Sequence, residues 1–387
     1  MNNSQSALLE LIKQSLFEIT VDKNSTTGVN WDEVYDEAVS QSVIGLIIPF
    51  IPEDIVLSDD RWKTIRDTQL AYYIRYIHAE DQLEKLLDSA DVPFVILKGC
   101  AAAVYYNHPE RRMMGDIDII VPQDLFDKAC DLLSNNGYVK KDERESHDQR
   151  HVEFKKNHII FELHRYFSRK ESDIDDYLVD GMNKMTIGNI ETHEFPMLPP
   201  MQNGLVLLEH MRAHLQSGLG LRQVIDWMMY VNKEMSDVFW NKEFASVAKD
   251  TGLETLAIVT TRMCQLYLGL PESICWCKEA DESLCAELLD NLFVSGNFGY
   301  KNGRGTSIEM IKTKMKTQGR FRWLQRAGEH NWQAYHKHHW LKPFCWIYQG
   351  FRYAKQGLKT GRSRKQIQGD LERANRRYEL LRKLNID

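Results

Sequence analysis

Residues 116–121 read Asp-Ile-Asp-Ile-Ile-Val, and this short run constrains the fold more than any other stretch of the chain. Side chains alternate along a strand, so Asp116 and Asp118 share one face while Ile117 and Ile119 share the other. Such a strand belongs in a sheet whose isoleucine face meets a core and whose opposite face carries charge. Two carboxylates at this spacing repel each other unless a cation lies between them. Mg²⁺, with Mn²⁺ as the alternative, suits them: it takes hard oxygen ligands and leaves positions for water and phosphate. An Asp-x-Asp alone, however, is more often a pair of solvated surface acids.

Around this run the hydrophobic period switches. Pro93–Leu97 is a continuous apolar stretch and reads as a buried strand, followed by Lys98-Gly99 and an alanine-rich helix over Cys100–Tyr106. Gln123–Asn135 reads as a helix ended by Asn136-Gly137, and His151–Lys155 and His158–His164 as a strand pair turning at Lys156-Asn157. Before this core the spacing is helical: Ser6–Ile19, Trp31–Ile47, and Arg61–Ser89 with Leu70, Tyr73, Ile74, Ile77, Leu83, Leu86 and Leu87 on its apolar side. After Pro200 it is helical again over 202–216, 221–233, 244–252 and 255–268. The expected organisation is an N-terminal helical region over 1–75, an α/β core over 76–195, a helical domain over 196–300 that closes the site, and a basic helical region over 301–387.

Three neighbours turn the aspartate pair into a candidate site. Gly99 lets the backbone approach a phosphate, and Lys98 beside it could add charge or could face solvent. Arg112 stands four residues before Asp116, where its guanidinium could neutralise a triphosphate or could face solvent. Glu162 alternates with Ile159, Phe161 and Leu163, so it projects opposite the core-facing residues of its strand. Pairing that strand with the aspartate strand would join three carboxylates, Asp116, Asp118 and Glu162, able to hold two metal ions for in-line displacement. Glu153, in the other arm of the hairpin, is the competing third acid. His164 falls on the carboxylate face two residues beyond Glu162. His210 and His214 share a helix face, and packing or capping is their simplest role.

Taken together, the apolar strand, Lys-Gly, helix, Arg-x-x-x-Asp-x-Asp, helix, and strand ending Glu-Leu-His resemble the uncharacterised bacterial nucleotidyltransferases of the DNA polymerase β-like superfamily. The resemblance covers about residues 75–230 and is specific as a combination rather than through one motif. It implies an α+β fold with a small mixed sheet at its centre. It also implies Asp116 and Asp118 as metal ligands, Glu162 as third carboxylate and candidate general base, and an NTP as substrate. Lys98, Gly99, Arg112, His164, Arg222 and Asp226 are then the candidate nucleotide contacts, the last two on helices closing over the nucleotide. The acceptor is not indicated. Many members of the superfamily carry Gly-Ser at the turn after the first strand; here it is Lys98-Gly99-Cys100, which removes a serine that elsewhere contacts phosphate. The rival readings are a noncatalytic nucleotide-binding module and a membrane- or nucleic-acid-associated adaptor acting through the basic C-terminal region. A kinase is disfavoured, since neither Gly-x-Gly-x-x-Gly nor a Walker-type Gly-Lys-Ser/Thr occurs.

Charge separates the ends of the molecule. From Lys301 onward there are 21 Lys/Arg against 6 Asp/Glu, whereas the preceding 300 residues hold 28 against 49. Within the basic end, Trp340, Phe344, Trp346, Phe351 and Tyr353 interleave with Lys342, Arg352, Lys355 and Lys359. Three readings stay open: a helix packing its aromatics on the acidic body, an anionic membrane surface, or nucleic acid. The last helix, 366–384, mixes both charges and reads as solvated. Seven cysteines at these spacings read as buried reduced thiols without a metal site. With no signal-like segment and no long apolar run, the expected location is cytoplasmic, with the basic end allowing peripheral membrane contact.

Overall fold

The computed structural model describes residues 1–20, 27–141, 150–168, 174–302, 308–359 and 364–386. The side chain of Lys359 lies outside the described residues. Helix α1 (Asn3–Phe17) opens on a capping box between Asn2 and Gln5, and α2 (Trp31–Ser40) is capped by the Asn30 side chain. The helix expected to continue to residue 47 breaks at Ser42, which takes a left-handed φ of 56°, and resumes as the single turn Ile44–Ile47.

Helix α3 (Asp60–Asp88) is 29 residues long, and its buried row runs Tyr73, Tyr76, Glu80, Leu83, Glu84 and Leu87 at steps of one, three and four. This row is rotated from the expected one: Leu70 and Ile74 are exposed, and two glutamates take buried positions. The rotation has a physical cause, because the hydroxyls and carboxyls of this face find polar partners against the sheet, described below.

The sheet has seven strands: β1 (Val95–Ile96), β2 (Ile117–Ile120), β3 (Val139–Lys140), β4 (His151–Lys156), β5 (Ile159–His164), β6 (Thr186–Ile190) and β7 (His193–Met197). Their order is β3-β4-β5-β2-β1-β7-β6, with β2 at the centre. β2 runs antiparallel to β1 and parallel to β5, and β1 runs parallel to β7, so the sheet is mixed. The β4–β5 turn is Asn157-His158, with φ of 49° and 68°, one residue later than expected. Two consecutive left-handed residues match the twist of the flanking strands, which is what a two-residue hairpin turn requires. The β6–β7 hairpin was not expected: Pro196 and the polar Thr192, His193 and Glu194 mask its alternation.

Behind β1, helix α4 (Cys100–Ala103) is a single turn rather than the longer helix expected, and α5 (Phe126–Asn135) carries the crossover from β2. Beyond the sheet lie α6 (Pro200–Leu215), α7 (Leu221–Glu234), α8 (Glu254–Leu268) and α9 (Glu282–Ser295). Their core is aromatic: Trp227, Tyr230 and Phe244 are fully buried, and the Trp227 indole donates to Thr261 Oγ1 at 2.9 Å. The C-terminal region adds α10 (Arg320–Asn331), α11 (Cys345–Lys359) and α12 (Arg364–Lys383). The α+β architecture is thus a mixed sheet flanked by helical regions at both ends. One expectation fails: the last helix is docked, with Leu380, Leu381 and Leu384 buried and Lys383 paired to Glu287 at 2.5 Å. Its buried stripe also takes in Asp370 and Arg377, while its remaining described charged residues are half-buried or exposed, and overall composition concealed that stripe. No helix among the described residues is long and apolar enough to cross a membrane.

Candidate metal and nucleotide site

Because β2 and β5 are parallel neighbours with Asp118 opposite Glu162 and Ile120 opposite His164, the alternation of the two strands places all their polar side chains on one face. Asp116 precedes β2 on that face, and its backbone carbonyl accepts from the Tyr76 hydroxyl of α3 at 2.9 Å. One oxygen each from Asp116, Asp118 and Glu162 falls within 4.8 Å of the others. Glu153 stands opposite Glu162 across the β4–β5 ladder, but its carboxylate is paired with Lys141 at 2.7 Å. The two acids therefore have different partners: Glu162 joins the aspartates, and Glu153 pairs with Lys141.

Cations gather on the same carboxylates. Lys98 Nζ lies 2.6 Å from Asp118 Oδ1, and His164 Nε2 lies 3.0 Å from that oxygen and 3.4 Å from Glu162 Oε2. Burial would strip the proton from His164, but its bonds to Asp118 and Glu162 outweigh this and raise its pKa to about 9. For Glu162, burial pushes upward, while the His164 hydrogen bond and the Lys98 charge hold its pKa down at about 2. Burial likewise opposes the charge on Lys98, and Asp118 and Asp116 more than restore it. The site is a dense, compensated set of charges with little access to water: Asp118 and His164 are both buried.

Gly99 makes this turn possible. It takes φ 54° and ψ −112°, and a Cβ there would collide with the Tyr76 hydroxyl that holds Asp116. Lys98 is thereby turned onto the carboxylate face, with Phe167 5.9 Å beneath its ammonium.

Arg112 and Asp226 meet each other rather than open solvent. Arg112 Nε and Nη2 donate to the two oxygens of Asp226 at 2.7 and 2.8 Å, and the Tyr106 hydroxyl donates to Asp226 Oδ1 at 2.7 Å. Both residues of this fork are buried. Arg222, one turn before Asp226, donates to the Met113 carbonyl at 3.1 Å, while its Nε is buried without a hydrogen-bond partner among the described residues. Its charge is felt by the Asp116 carboxylate, and burial followed by the nearby Arg112 charge lowers its pKa. His210 and His214 pack edge to face at 4.5 Å, and burial, reinforced by the Lys98 charge, keeps both neutral, His214 at about 3. They stand over the Lys98 side of the site.

Sequence reasoning missed two contributors. Tyr76 gave no signal beyond its place in a helical stripe. His151 lies opposite His164 in the β4–β5 register and brings Nε2 to 3.6 Å from Glu162 Oε1. The hairpin could have found it: a turn at Lys156-Asn157 sets His151 opposite Glu162, and the observed turn sets it opposite His164.

In the C-terminal region Tyr353 stacks on Trp323 at 5.5 Å, as a packing role requires. Trp340 and Phe351 do not follow it: they are 72% and 74% exposed, and Phe344 is exposed beside them. Trp340 and Phe344 belong to the 3-10 segment His339–Phe344 that leads into α11, and Phe351 to α11 itself.

A family model described as an uncharacterised nucleotidyltransferase matches residues 27–269, more than half of the chain. No curated protein matches.

Proposed function

The chain belongs to this uncharacterised nucleotidyltransferase family, and on that premise we propose that it moves a nucleoside monophosphate from an NTP to a hydroxyl or phosphate acceptor. The observation that carries the reading is the junction of Asp116, Asp118 and Glu162 on adjacent parallel strands. The donor set fits Mg²⁺: three carboxylates, all hard oxygens, Asp118 buried and Asp116 and Glu162 half-buried. Bound there, the ion would neutralise triphosphate oxygens and make an acceptor hydroxyl easier to ionise.

The protein's own contribution is positioning and charge. Lys98 and His164, both cationic at neutral pH, would turn from Asp118 toward phosphate oxygens once the carboxylates are engaged. Arg222, whose buried Nε has no hydrogen-bond partner among the described residues, stands next to Asp116 and is the guanidinium best placed for the triphosphate. Arg112 and Asp226, already locked together, would act from behind as the wall that orients Arg222. Glu162, held ionised at about 2, is a weak proton acceptor at neutral pH, which favours a ligand role over that of general base.

Each labelled NTP, incubated with Mg²⁺ and candidate acceptors and followed by product mass, tests the reading. Transfer lost in Asp116→Asn and Asp118→Asn, with folding intact, is the expected result. Transfer retained in either variant would remove the site from the reaction.

A second reading concerns location rather than chemistry. The exposed rings of Trp340, Phe344 and Phe351, close in sequence to Lys342 and Lys355 in a region of strong positive balance, suit an anionic lipid surface. Aromatic rings insert at the headgroup level while the bases meet lipid phosphates.

A further inference from the structure

A second cluster of ligating side chains lies behind the Lys98-Gly99 turn, away from the carboxylate face. Glu80 and Glu84 come from α3, Cys100 from the residue after Gly99, and His193 from the start of β7. All four are buried. One ligand atom each from Glu80, Cys100 and His193 falls within 4.8 Å of the others. His193 Nε2 lies 3.1 Å from Glu80 Oε1 and 3.5 Å from Glu84 Oε1.

This arrangement is incomplete as a hydrogen-bond network. Glu80 Oε2 and Glu84 Oε1 are buried with no hydrogen-bond partner among the described residues. Among the described residues, both ion pairs of these glutamates are to the one imidazole of His193. Two carboxyls one helical turn apart, a thiol and a single imidazole leave excess acceptors in a water-poor interior, where an unpaired polar group is costly. A divalent cation removes the imbalance. We propose that Glu80, Cys100 and His193, with Glu84 as fourth donor, bind a structural zinc ion.

The donor set points to zinc rather than to Mg²⁺. A thiolate and an imidazole are softer ligands than Mg²⁺ accepts, whereas zinc takes sulfur, nitrogen and carboxylate oxygen together. Tetrahedral zinc, with bonds of about 2.0–2.3 Å, separates its ligand atoms by roughly 3.3–3.8 Å. The 3.1 and 3.5 Å spacings around His193 Nε2 already approach that edge length. Binding would release the Cys100 thiol proton together with the proton that burial and the neighbouring Glu80 hold on Glu84, and would leave the carboxylates next to positive charge. It would also tie three elements into one unit: α3, which holds Asp116 through Tyr76; the turn that aims Lys98; and the β6–β7 hairpin. The ion would lie behind the nucleotide site and touch no substrate. Sequence spacing hid it, because the ligands come from positions 80, 84, 100 and 193.

The test uses the full chain without an affinity histidine tag, purified without chelator. Elemental analysis should find about one zinc per chain in the wild type and in the Asp116→Asn/Asp118→Asn variant, and none in Cys100→Ser. After zinc removal and addition of Co²⁺ alone, a thiolate-to-cobalt charge-transfer band should appear in the first two proteins. If Cys100→Ser does not fold, X-ray absorption at the zinc edge of the wild type decides: one sulfur and three nitrogen or oxygen neighbours are expected. Wild-type protein without zinc and without a cobalt band would overturn the proposal. So would a metal retained in folded Cys100→Ser, or a sulfur-free first shell. Zinc lost along with Asp116 and Asp118 would mean that the metal occupied the nucleotide site instead.

Discussion

At the scale of single residues, the most consequential interaction is the Arg112–Asp226 fork, because both groups are buried and each is the other's main compensation. Removing one partner strands the other charge in the interior. Asp226→Ala should therefore cost on the order of 3–5 kcal/mol of stability in urea unfolding, far more than an exposed pair would. A loss below about 1 kcal/mol, the range of surface pairs, would contradict the buried geometry. His164 offers a pH test. Its folded pKa is raised from 6.5 to about 9, so its contribution is complete below pH 6.5 and is lost as the pH rises through about 9. In magnesium-free buffer, the stability difference between wild type and His164→Gln should shrink across that window. A difference that stays constant, or grows, would mean that His164 is not held as a cation. The alternation rule made Asp116, Asp118, Glu162 and His164 legible in the sequence. It could not reveal that Arg112 and Asp226, far apart in the chain, are each other's partner.

At the scale of elements, the turn after β1 joins two constraints at Gly99: a backbone conformation closed to other residues, and the approach of Tyr76. Gly99→Ala should destabilise by about 1–3 kcal/mol from backbone strain, with the collision added. Tyr76→Phe removes the colliding hydroxyl but not the strain. The double variant should therefore be more stable than the sum of the single losses predicts. Strict additivity in thermal or urea unfolding would contradict the contact. The strands that carry the site were readable because β2 and β5 have isoleucine, phenylalanine and leucine at alternate positions. β6 and β7 were not, since a proline and polar residues interrupt their pattern at the sheet edge. Helix α3 was read with its buried face rotated, because apolar counting assigns glutamates outward. Glu80 and Glu84 are inside for their chemistry, not their hydrophobicity.

At the scale of the whole molecule, the acidic majority of the chain and its basic end are joined in different ways by different helices. α12 docks through Leu380, Leu381 and Leu384, whereas α11 and the turn before it leave aromatics in solvent. The charge balance announced a partner but could not separate a docked helix from an exposed one, since both carry the same residue types. If the exposed rings meet lipid, the full chain should co-sediment with phosphatidylserine-containing vesicles and not with neutral ones. Binding should weaken with salt and fall at least tenfold in Trp340→Ala/Phe351→Ala. Equal binding to neutral vesicles, or salt-dependent binding to single-stranded RNA in place of lipid, would contradict that surface.

The central claim is that Asp116, Asp118 and Glu162 form one metal-dependent nucleotide site, and Mn²⁺ binding measured by electron paramagnetic resonance tests it most directly. Zinc-replete protein should bind Mn²⁺ in the presence of ATP or another NTP, and Asp118→Asn and Glu162→Gln should each weaken that binding by tenfold or more while remaining folded. Mn²⁺ affinity unchanged in both variants would contradict the claim.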